Sequence, residues 1–228
     1  MTAQWKQHAQ KMLTGNRWLL AGILILFVIL NGIPQSFAPT IDAESMEPLT
    51  SIEMTLSFLS FLLTLLIAPL TVGWSWLVLS VSRGDKPAVS KLFEPFQTGY
   101  VKHVLAPFFV GLFIFLWALL LVIPGIVKAF SYSLTNYILR DQPELSALEA
   151  ITESRRMMDG HKMDAFKLVL SFIGWFFVGV FTLGIGFLYV YPYFSTTYAA
   201  FYDSLQKDKR PEPQYMTDHT SGDVPTGF

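Results

Sequence analysis

The chain has 228 residues, of which 52% are hydrophobic and only 14% are charged, and its formal net charge is −1. Its mean hydropathy of +0.44 is higher than a soluble domain requires. These values predict a membrane protein, in which the placement of the charges matters more than their sum. The sequence contains no cysteine, which excludes disulfides, thiolate metal sites and cysteine nucleophiles.

The apolar segments predict an all-α polytopic membrane fold with six transmembrane helices. A hydrocarbon core about 30 Å thick requires roughly 20 helical residues for each crossing. Residues 104–139 are nearly long enough for two crossings, and Pro124 with Gly125 predicts the tip of a hairpin between them. A second tip is predicted at residues 182–186. We expect one integral membrane domain over residues 1–206 with three hairpins, whose spans lie at about residues 17–32, 54–82, 104–123, 125–140, 164–182 and 186–205.

The second span is unusually long and contains Pro69. Two short crossings that meet at this proline are the alternative, but each would contain only about 14 residues, fewer than a crossing needs. The split would also place the basic residues that follow on the outer side. We therefore expect one long, tilted helix with a kink at the proline.

The charged residues predict the orientation of this arrangement. Every Lys and Arg except Lys128 falls in residues 1–17, 83–103, 140–167 or the tail, which all lie on the same side. The positive-inside rule therefore predicts a multi-pass protein of the cell membrane with both termini in the cytoplasm. Lys128 is expected either to reach the outer headgroups or to contact an anion or substrate at the outer mouth. The polar tail, residues 207–228, is predicted to be disordered in the cytoplasm.

The two C-terminal hairpins contain an internal repeat. The matched positions are Gly125 with Gly186, Tyr132 with Tyr193, Thr135 with Thr196, Asn136 with Thr197 and Tyr137 with Tyr198. Both copies have the same predicted orientation, and parallel repeats of this kind also occur in transporters. Whether the first two spans form a third copy stays open.

Each of these two hairpins is preceded by an amphipathic segment that we expect on the cytoplasmic side. Ala88, Val89, Leu92, Phe93 and Phe96 share one helical face in the first segment, and Ala147, Ile151, Ser154 and Met158 share one in the second. Ser146 with Glu149 predicts a capping box at the start of the second helix. We expect both helices on the inner membrane surface, where Arg155, Arg156, His161 and Lys162 would contact anionic lipid. The alternative is an ordinary solvated face.

The sequence contains no catalytic signature. It lacks an HExxH motif, a Walker loop, a GxSxG elbow, an EF-hand loop and a Gly-rich dinucleotide turn. None of the four histidines has a second ligand at helical spacing, and the interior of the predicted spans lacks carboxylates. We therefore expect a protein that is not an enzyme, with no metal, no cofactor and no nucleic-acid partner.

Hydroxyl and amide side chains concentrate in the second, fourth and sixth predicted spans. Such groups commonly form hydrogen bonds between transmembrane helices. The alternative is a polar path or ligand cavity. The candidate positions for either role are Ser75, Lys128, Tyr132, Thr135, Asn136, Tyr193, Thr196 and Thr197.

Several segments carry a resemblance to a known family. "IPGIVKAFSYSLTNYIL", "GHK", "SFIGW", "GIG" and "PY" are similar to an integral membrane family of Gram-positive bacteria catalogued as domain of unknown function 975, over about residues 15–206. The resemblance implies a cytoplasmic-membrane location and a six-helix core, and it transfers no catalytic residue. A looser similarity in layout to the membrane portions of some glycerophosphodiester phosphodiesterases suggests an envelope-related role by analogy.

Two functional hypotheses follow. The first is a non-enzymatic membrane protein that supports the envelope or binds a membrane-protein partner, with a dry interior. The second is a small transporter or channel with a polar path lined by Ser, Thr and Tyr of the second, fourth and sixth helices. Both include membrane lipids as partners, and neither fixes an oligomeric state.

Overall fold

The computed structural model describes residues 2–39 and 50–209, and this part of the chain is all-helical. The predicted all-α class is therefore confirmed for these residues. Most of the predicted tail, from residue 210 onward, lies outside them. The α-helices are α1 (Thr2–Leu13), α2 (Arg17–Gly32), α3 (Ser51–Ile67), α4 (Pro69–Ser82), α5 (Ser90–Gln97), α6 (Tyr100–Leu120), α7 (Val122–Tyr132), α8 (Thr135–Asp141), α9 (Ala147–Met157), α10 (Lys162–Leu170), α11 (Ile173–Phe181) and α12 (Phe187–Lys209), and a short 3-10 helix spans Pro34–Phe37.

Four helical segments of the described chain are long and apolar enough to cross a membrane: Arg17–Phe37, Ser51–Ser82, Tyr100–Leu120 and Lys162–Phe181. They correspond to the first, second, third and fifth predicted spans. At the fourth predicted span the chain is divided into the short helices α7 and α8, and at the sixth α12 is rich in Tyr, Ser and Thr. Apolarity and length therefore support four of the six predicted crossings.

The helices are arranged as three successive units with the same layout. The units are α1–α4, α5–α8 and α9–α12. Each begins with a short helix (α1, α5 or α9). An outgoing segment follows (α2, α6 or α10–α11), and then a returning segment (α3–α4, α7–α8 or α12). The short helix of one unit packs on the returning segment of the unit before it, α5 on α4 and α9 on α8. Helix α1 packs on α12, which closes the arrangement into a ring. The first two spans therefore match the layout of the two repeats, a point that the sequence left open.

Helices α4, α8 and α12 form the centre of the molecule. Nearly every residue of α4 is buried, and α4 packs against both α8 and α12. Tyr137 of α8 stacks on Tyr202 of α12, with ring centroids 5.3 Å apart. The helices around this centre, α2, α3, α6, α7, α10 and α11, expose large apolar side chains. This explains why α12 is polar although it lies in a membrane domain, since the surrounding helices cover it.

The hairpin tip predicted at Pro124 and Gly125 lies a few residues earlier. Helix α6 ends at Leu120, and the chain turns at Leu121, which is extended with φ −158° and ψ 136°. Pro124 lies in the first turn of α7, where a missing N–H costs no helical hydrogen bond. Gly125 has a packing role, because a Cβ there would lie 2.9 Å from Ala118 of α6. The pair therefore allows α6 and α7 to pack closely beside the turn.

The other two predicted chain breaks agree with the structure. The turn between α11 and α12 contains Leu183 and Gly184 in the left-handed region, with φ 52° and φ 92°. Helix α3 ends at Ile67 and α4 begins at Pro69, while Ala68 between them keeps helical dihedral angles. The second span is therefore one long segment with a break at the proline.

Helix α9 buries its apolar face against protein, whereas the segment of α5 buries Leu92 but leaves Val89 and Phe93 exposed by 42% and 37%. Ser146 and Glu149 form the predicted capping box at the start of α9. Ala147, Ile151 and Ser154 are buried as the pattern predicts, but α9 packs against α6, α7 and α8. The expectation that the apolar face of α9 lies on the membrane surface is corrected here, because neighbouring helices cover it. For α5 this placement stays a prediction.

Candidate functional site

A cavity of about 340 Å³ lies where the three returning segments meet, and we call it the axial cavity. Each unit contributes one serine to its wall: Ser75 in α4, Ser133 between α7 and α8, and Ser195 in α12. The remaining lining is mainly aromatic and apolar: Trp74, Ala129, Phe130, Tyr137, Val169, Tyr191, Phe194 and Tyr198. Its volume lies at the lower end of the range for small-molecule sites.

The polar groups in this wall contact one another across the helix interfaces. The hydroxyls of Ser133 and Tyr198 are 2.6 Å apart, and the indole N–H of Trp74 donates to Ser195 Oγ at 3.3 Å. Asn136 Nδ2 donates to Ser75 Oγ at 3.3 Å. Three interhelical hydrogen bonds therefore hold the cavity wall together, and the same oxygens could still accept a bond from a small polar ligand.

The chain break beside this cavity is filled by a side chain from α9. Ser154 is fully buried, its hydroxyl donates to the carbonyl oxygen of Ser131 at 2.9 Å, and it accepts from the N–H of Leu134 at 3.2 Å. These two main-chain groups flank the interruption between α7 and α8, where regular helical bonding stops. Ser154 therefore stabilises the break that places Ser133 in the cavity wall.

An ion-pair cluster joins the ends of the three returning segments. Arg83, directly after α4, forms two hydrogen bonds to Asp141 of α8 at 2.6 and 2.7 Å. It also donates to Asp203 of α12 at 2.8 and 3.1 Å. The hydroxyl of Tyr202 donates to Asp141 at 3.0 Å. The guanidinium group of Arg83, in the first unit, thus bonds to one carboxylate of the second unit and one of the third at one end of the core.

The cluster keeps Asp141 ionised. Partial burial would raise the pKa of its carboxyl, but the hydrogen bonds and charge of Arg83, with the hydroxyl of Tyr202, outweigh it and hold the pKa below its usual value. Asp141 and Asp203 are only 15% and 20% exposed, whereas Arg83 is 37% exposed. The cluster is therefore partly shielded from solvent, and removal of one partner would leave a charge that solvent screens less than at the surface.

Sequence reasoning did not identify this cluster. Arg83, Asp141 and Asp203 are far apart in the chain. Arg83 follows α4 and Asp141 ends α8, whereas Asp203 lies inside α12. The sequence contained one signal for the cluster. Asp203 falls near the end of the sixth predicted span, and a carboxylate within a span usually has a cationic partner.

The predicted polar residues divide between the axial cavity and the packed core. Ser75 lines the cavity, and Asn136 bonds to it. Thr135 Oγ1 donates to the carbonyl of Tyr132, and Thr197 Oγ1 donates to the carbonyl of Tyr193, each at 2.7 Å within its own helical segment. Tyr132, Thr135, Tyr193 and Thr197 are thus buried outside the cavity lining.

Thr196 is the exception among the predicted hydroxyls. It is fully buried, and its Oγ1 has no hydrogen-bond partner within the described ranges. An unpaired buried hydroxyl is costly, and the structure offers no compensating contact for it.

Lys128 and three of the predicted lipid-contact residues line a separate cavity of about 410 Å³, which we call the basic cavity. Its lining consists of Lys128, Ser131, Thr152, Arg155, Arg156, Asp159 and Lys162. The fourth predicted contact, His161, lies outside this lining, with Nδ1 3.7 Å from Asp164. Lys128 was expected on the outer side of the membrane and Arg155 on the inner side. Since both line one cavity, these two placements cannot both hold.

Within residues 2–39 and 50–209, no group of three or more His, Asp or Glu side chains could hold a metal ion. The most buried histidine, His103, has Nδ1 at 2.8 Å from the carbonyl oxygen of Pro95, and its ring packs edge-on against Trp76. It serves to join α5 to α6.

Residues 119–209 match the family model described as "Protein of unknown function (DUF975)". The matched stretch runs from the end of α6 to the end of α12 and includes both cavities in large part, Asp141, Asp203 and Ser154. The family resemblance seen in the sequence is confirmed over these residues. The comparisons with curated proteins and with solved structures gave no match.

Proposed function

We propose that this chain, whose residues 119–209 carry the sequence pattern of the family above, is a non-enzymatic integral membrane protein with a structural role. It would support the cell envelope or hold a membrane-protein partner, with lipids as its surroundings and without cofactor or nucleic acid. The observation that carries this proposal is that polar side chains of the core are bonded within their own segments or join neighbouring segments. Thr135 and Thr197 donate within their own segments, and Arg83 joins the three returning segments at one end.

The proposal includes six crossings arranged as three hairpins, α2 with α3–α4, α6 with α7–α8, and α10–α11 with α12. It is supported by the shared layout of the three units and by the apolar hairpin tips, where Ile123 is 75% exposed and Leu183 95% exposed. Side chains of this kind are stable in hydrocarbon or at its boundary. The end with the ion-pair cluster would face the cytoplasm, together with both termini, because the basic residues concentrate there.

Single-cysteine labelling tests this proposal, because the chain contains no cysteine of its own. Ser75→Cys, Ser133→Cys and Ser195→Cys report on the axial cavity, and Lys86→Cys in the exposed loop between α4 and α5 is the control. Cells are treated with a charged thiol reagent before and after permeabilisation. We expect Lys86→Cys to react only after permeabilisation and the three cavity positions to stay unreactive. Reaction at the cavity positions would contradict a closed core.

A small transporter or channel is the second candidate, and the axial cavity is the observation that favours it. One serine from each unit and the hydroxyl of Tyr198 line a space large enough for several water molecules. In this case the ion-pair cluster would act as a gate between the cavity and the cytoplasm. The candidate requires labelling of Ser133→Cys and Ser195→Cys by aqueous reagents.

A further inference from the structure

Four cationic side chains from three helices converge on the basic cavity. Lys128 comes from α7, Arg155 and Arg156 come from the last turn of α9, and Lys162 begins α10. The cavity lining contains a single carboxylate, Asp159, whose side chain is 86% exposed and 3.9 Å from Lys162 Nζ. Arg156 also pairs with Glu153 at 3.2 Å. The cavity therefore retains a positive excess that attracts anions.

The helices that carry these charges are fixed relative to one another. The buried hydroxyl of Ser154 joins α9 to the end of α7, one turn from Lys128. The rings of Phe130 and Phe166 pack edge to face at 6.1 Å and join α7 to α10. The ammonium group of Lys128 lies 4.6 Å from the ring centre of Trp117 of α6, which restricts its position. The helices that carry the cationic groups are thus joined to one another, and the ammonium group of Lys128 is placed against Trp117 before any ligand binds.

The surroundings of the cavity indicate where it lies relative to the bilayer. Lys162 is the first residue of the candidate span Lys162–Phe181. Exposed apolar side chains flank the cavity on both neighbouring helices, Val127 at 43% on α7 and Met163 and Phe166 at 60% and 43% on α10. Cations beside exposed apolar helix faces are typical of the headgroup level of a membrane.

We propose that the basic cavity is a binding site for the phosphate group of an anionic phospholipid. Arg and Lys side chains form charge-assisted hydrogen bonds with phosphate oxygens, and several cations around one cavity suit a group of one or more negative charges. The apolar faces of α7 and α10 would contact the acyl chains. Lys128 and Arg155 would then lie at the same membrane level, which places α7 and the hairpin tip before it only part of the way across the bilayer, in place of the complete second hairpin proposed above. This inference does not depend on whether the axial cavity is hydrated.

The test is lipid binding to the purified full chain, measured by native mass spectrometry from detergent solution. Phosphatidylglycerol is titrated against the wild type and against Lys128→Gln, Arg155→Gln and the double variant. Each lost cation is expected to weaken binding about fivefold, and the double variant about 25-fold, from about 1 kcal/mol for each cation near an anionic surface. Lys128→Arg keeps the charge and is expected to bind nearly as the wild type does.

Lys167→Gln is the matched control, because Lys167 is an exposed cation of α10 outside the cavity lining. Thermal unfolding of each variant verifies its fold. Equal weakening by Lys167→Gln, or unchanged binding in the double variant, would overturn the proposal.

Two further titrations identify the source of the phosphate. Phosphatidylcholine, which has no net charge, is expected to bind much more weakly than phosphatidylglycerol. Inorganic phosphate at millimolar concentration is expected to displace little phosphatidylglycerol, since it lacks the acyl chains. Complete displacement by inorganic phosphate, lost in Lys128→Gln, would mean that the cavity takes a soluble phosphate and would overturn the assignment to lipid.

Discussion

Gly73→Ala tests the close packing of a short amphipathic helix against a returning helix. A Cβ at Gly73 would lie 2.1 Å from the carbonyl oxygen of Leu92 and 2.7 Å from its carbonyl carbon. Both groups are main chain, so no side-chain rotation relieves the contact, and α4 and α5 must separate by about 1 Å to reach ordinary contact distance. The packing of Leu92, which is fully buried, would loosen as a result.

The magnitude follows from two opposing effects. Overpacking in a dense core costs about 3 kcal/mol at the upper end of its usual range. Replacing a helical glycine with alanine gains about 1 kcal/mol in helix propensity. The net loss of about 2 kcal/mol lowers the unfolding temperature by about 4–8 °C for a chain of this size.

The assay is thermal unfolding of the purified protein in detergent, followed by tryptophan fluorescence. Gly111→Ala is the matched control, since Gly111 lies inside α6 and a Cβ there would meet nothing within 4 Å. It receives the same gain in helix propensity and is expected to unfold at the same temperature as the wild type or slightly above it. Equal unfolding temperatures for Gly73→Ala and Gly111→Ala would refute the packing of α5 on α4.

Three further predictions concern the polar contacts. Arg83→Gln leaves Asp141 with an unpaired charge and should cost about 2 kcal/mol, measured as a lower unfolding temperature. Because the pKa of Asp141 is lowered in the folded state, its stabilisation is complete above its unfolded pKa of about 3.9 and is lost as pH falls through the folded pKa. Asp141→Asn should therefore flatten the decrease in unfolding temperature on acidification. Ser154→Ala should cost about 1–3 kcal/mol, because the buried N–H of Leu134 loses its acceptor, whereas Thr152→Ala should cost little; equal losses would contradict the role of Ser154.

Features that depend on local chemistry were predictable from the sequence. Pro69 ends one helix and begins the next, because a proline N cannot donate to the preceding turn. Ser146 and Glu149 form a capping box, which needs only residues three apart in the chain. The apolar face of α9 followed from its spacing, and the structure buries the same residues.

Features that depend on long-range packing were not predictable. The pattern on α9 indicated an apolar face, but the bilayer and a protein groove satisfy such a face equally well, so its partner could not be chosen. Gly125 was taken as the turn itself, whereas its missing side chain allows close contact with Ala118. Arg83 and Asp203 are separated by 120 positions, and only the closed ring of three units brings them together.

The same limit applies to the two cavities. The axial cavity depends on which serine of each returning segment faces the centre, and a stripe of hydroxyls offers several choices per helix. Ser133 became accessible to the cavity because the helix is interrupted beside it. Lys128 was placed on the outer side because it follows the predicted hairpin tip by three residues. Its position beside Arg155 depends on the packing of α9 against α7, which the sequence pattern does not give.

Solute flux through liposomes tests most directly the claim that the core of this protein is closed. Liposomes that contain the purified wild type, Arg83→Gln or no protein are loaded with a small fluorescent solute and with protons, and the leakage of each is followed over time. The account predicts the same leakage in all three preparations, since hydrogen bonds and ion pairs hold the central helices together. Leakage that requires the wild-type protein and increases in Arg83→Gln would contradict the account and would identify the ion-pair cluster as a gate.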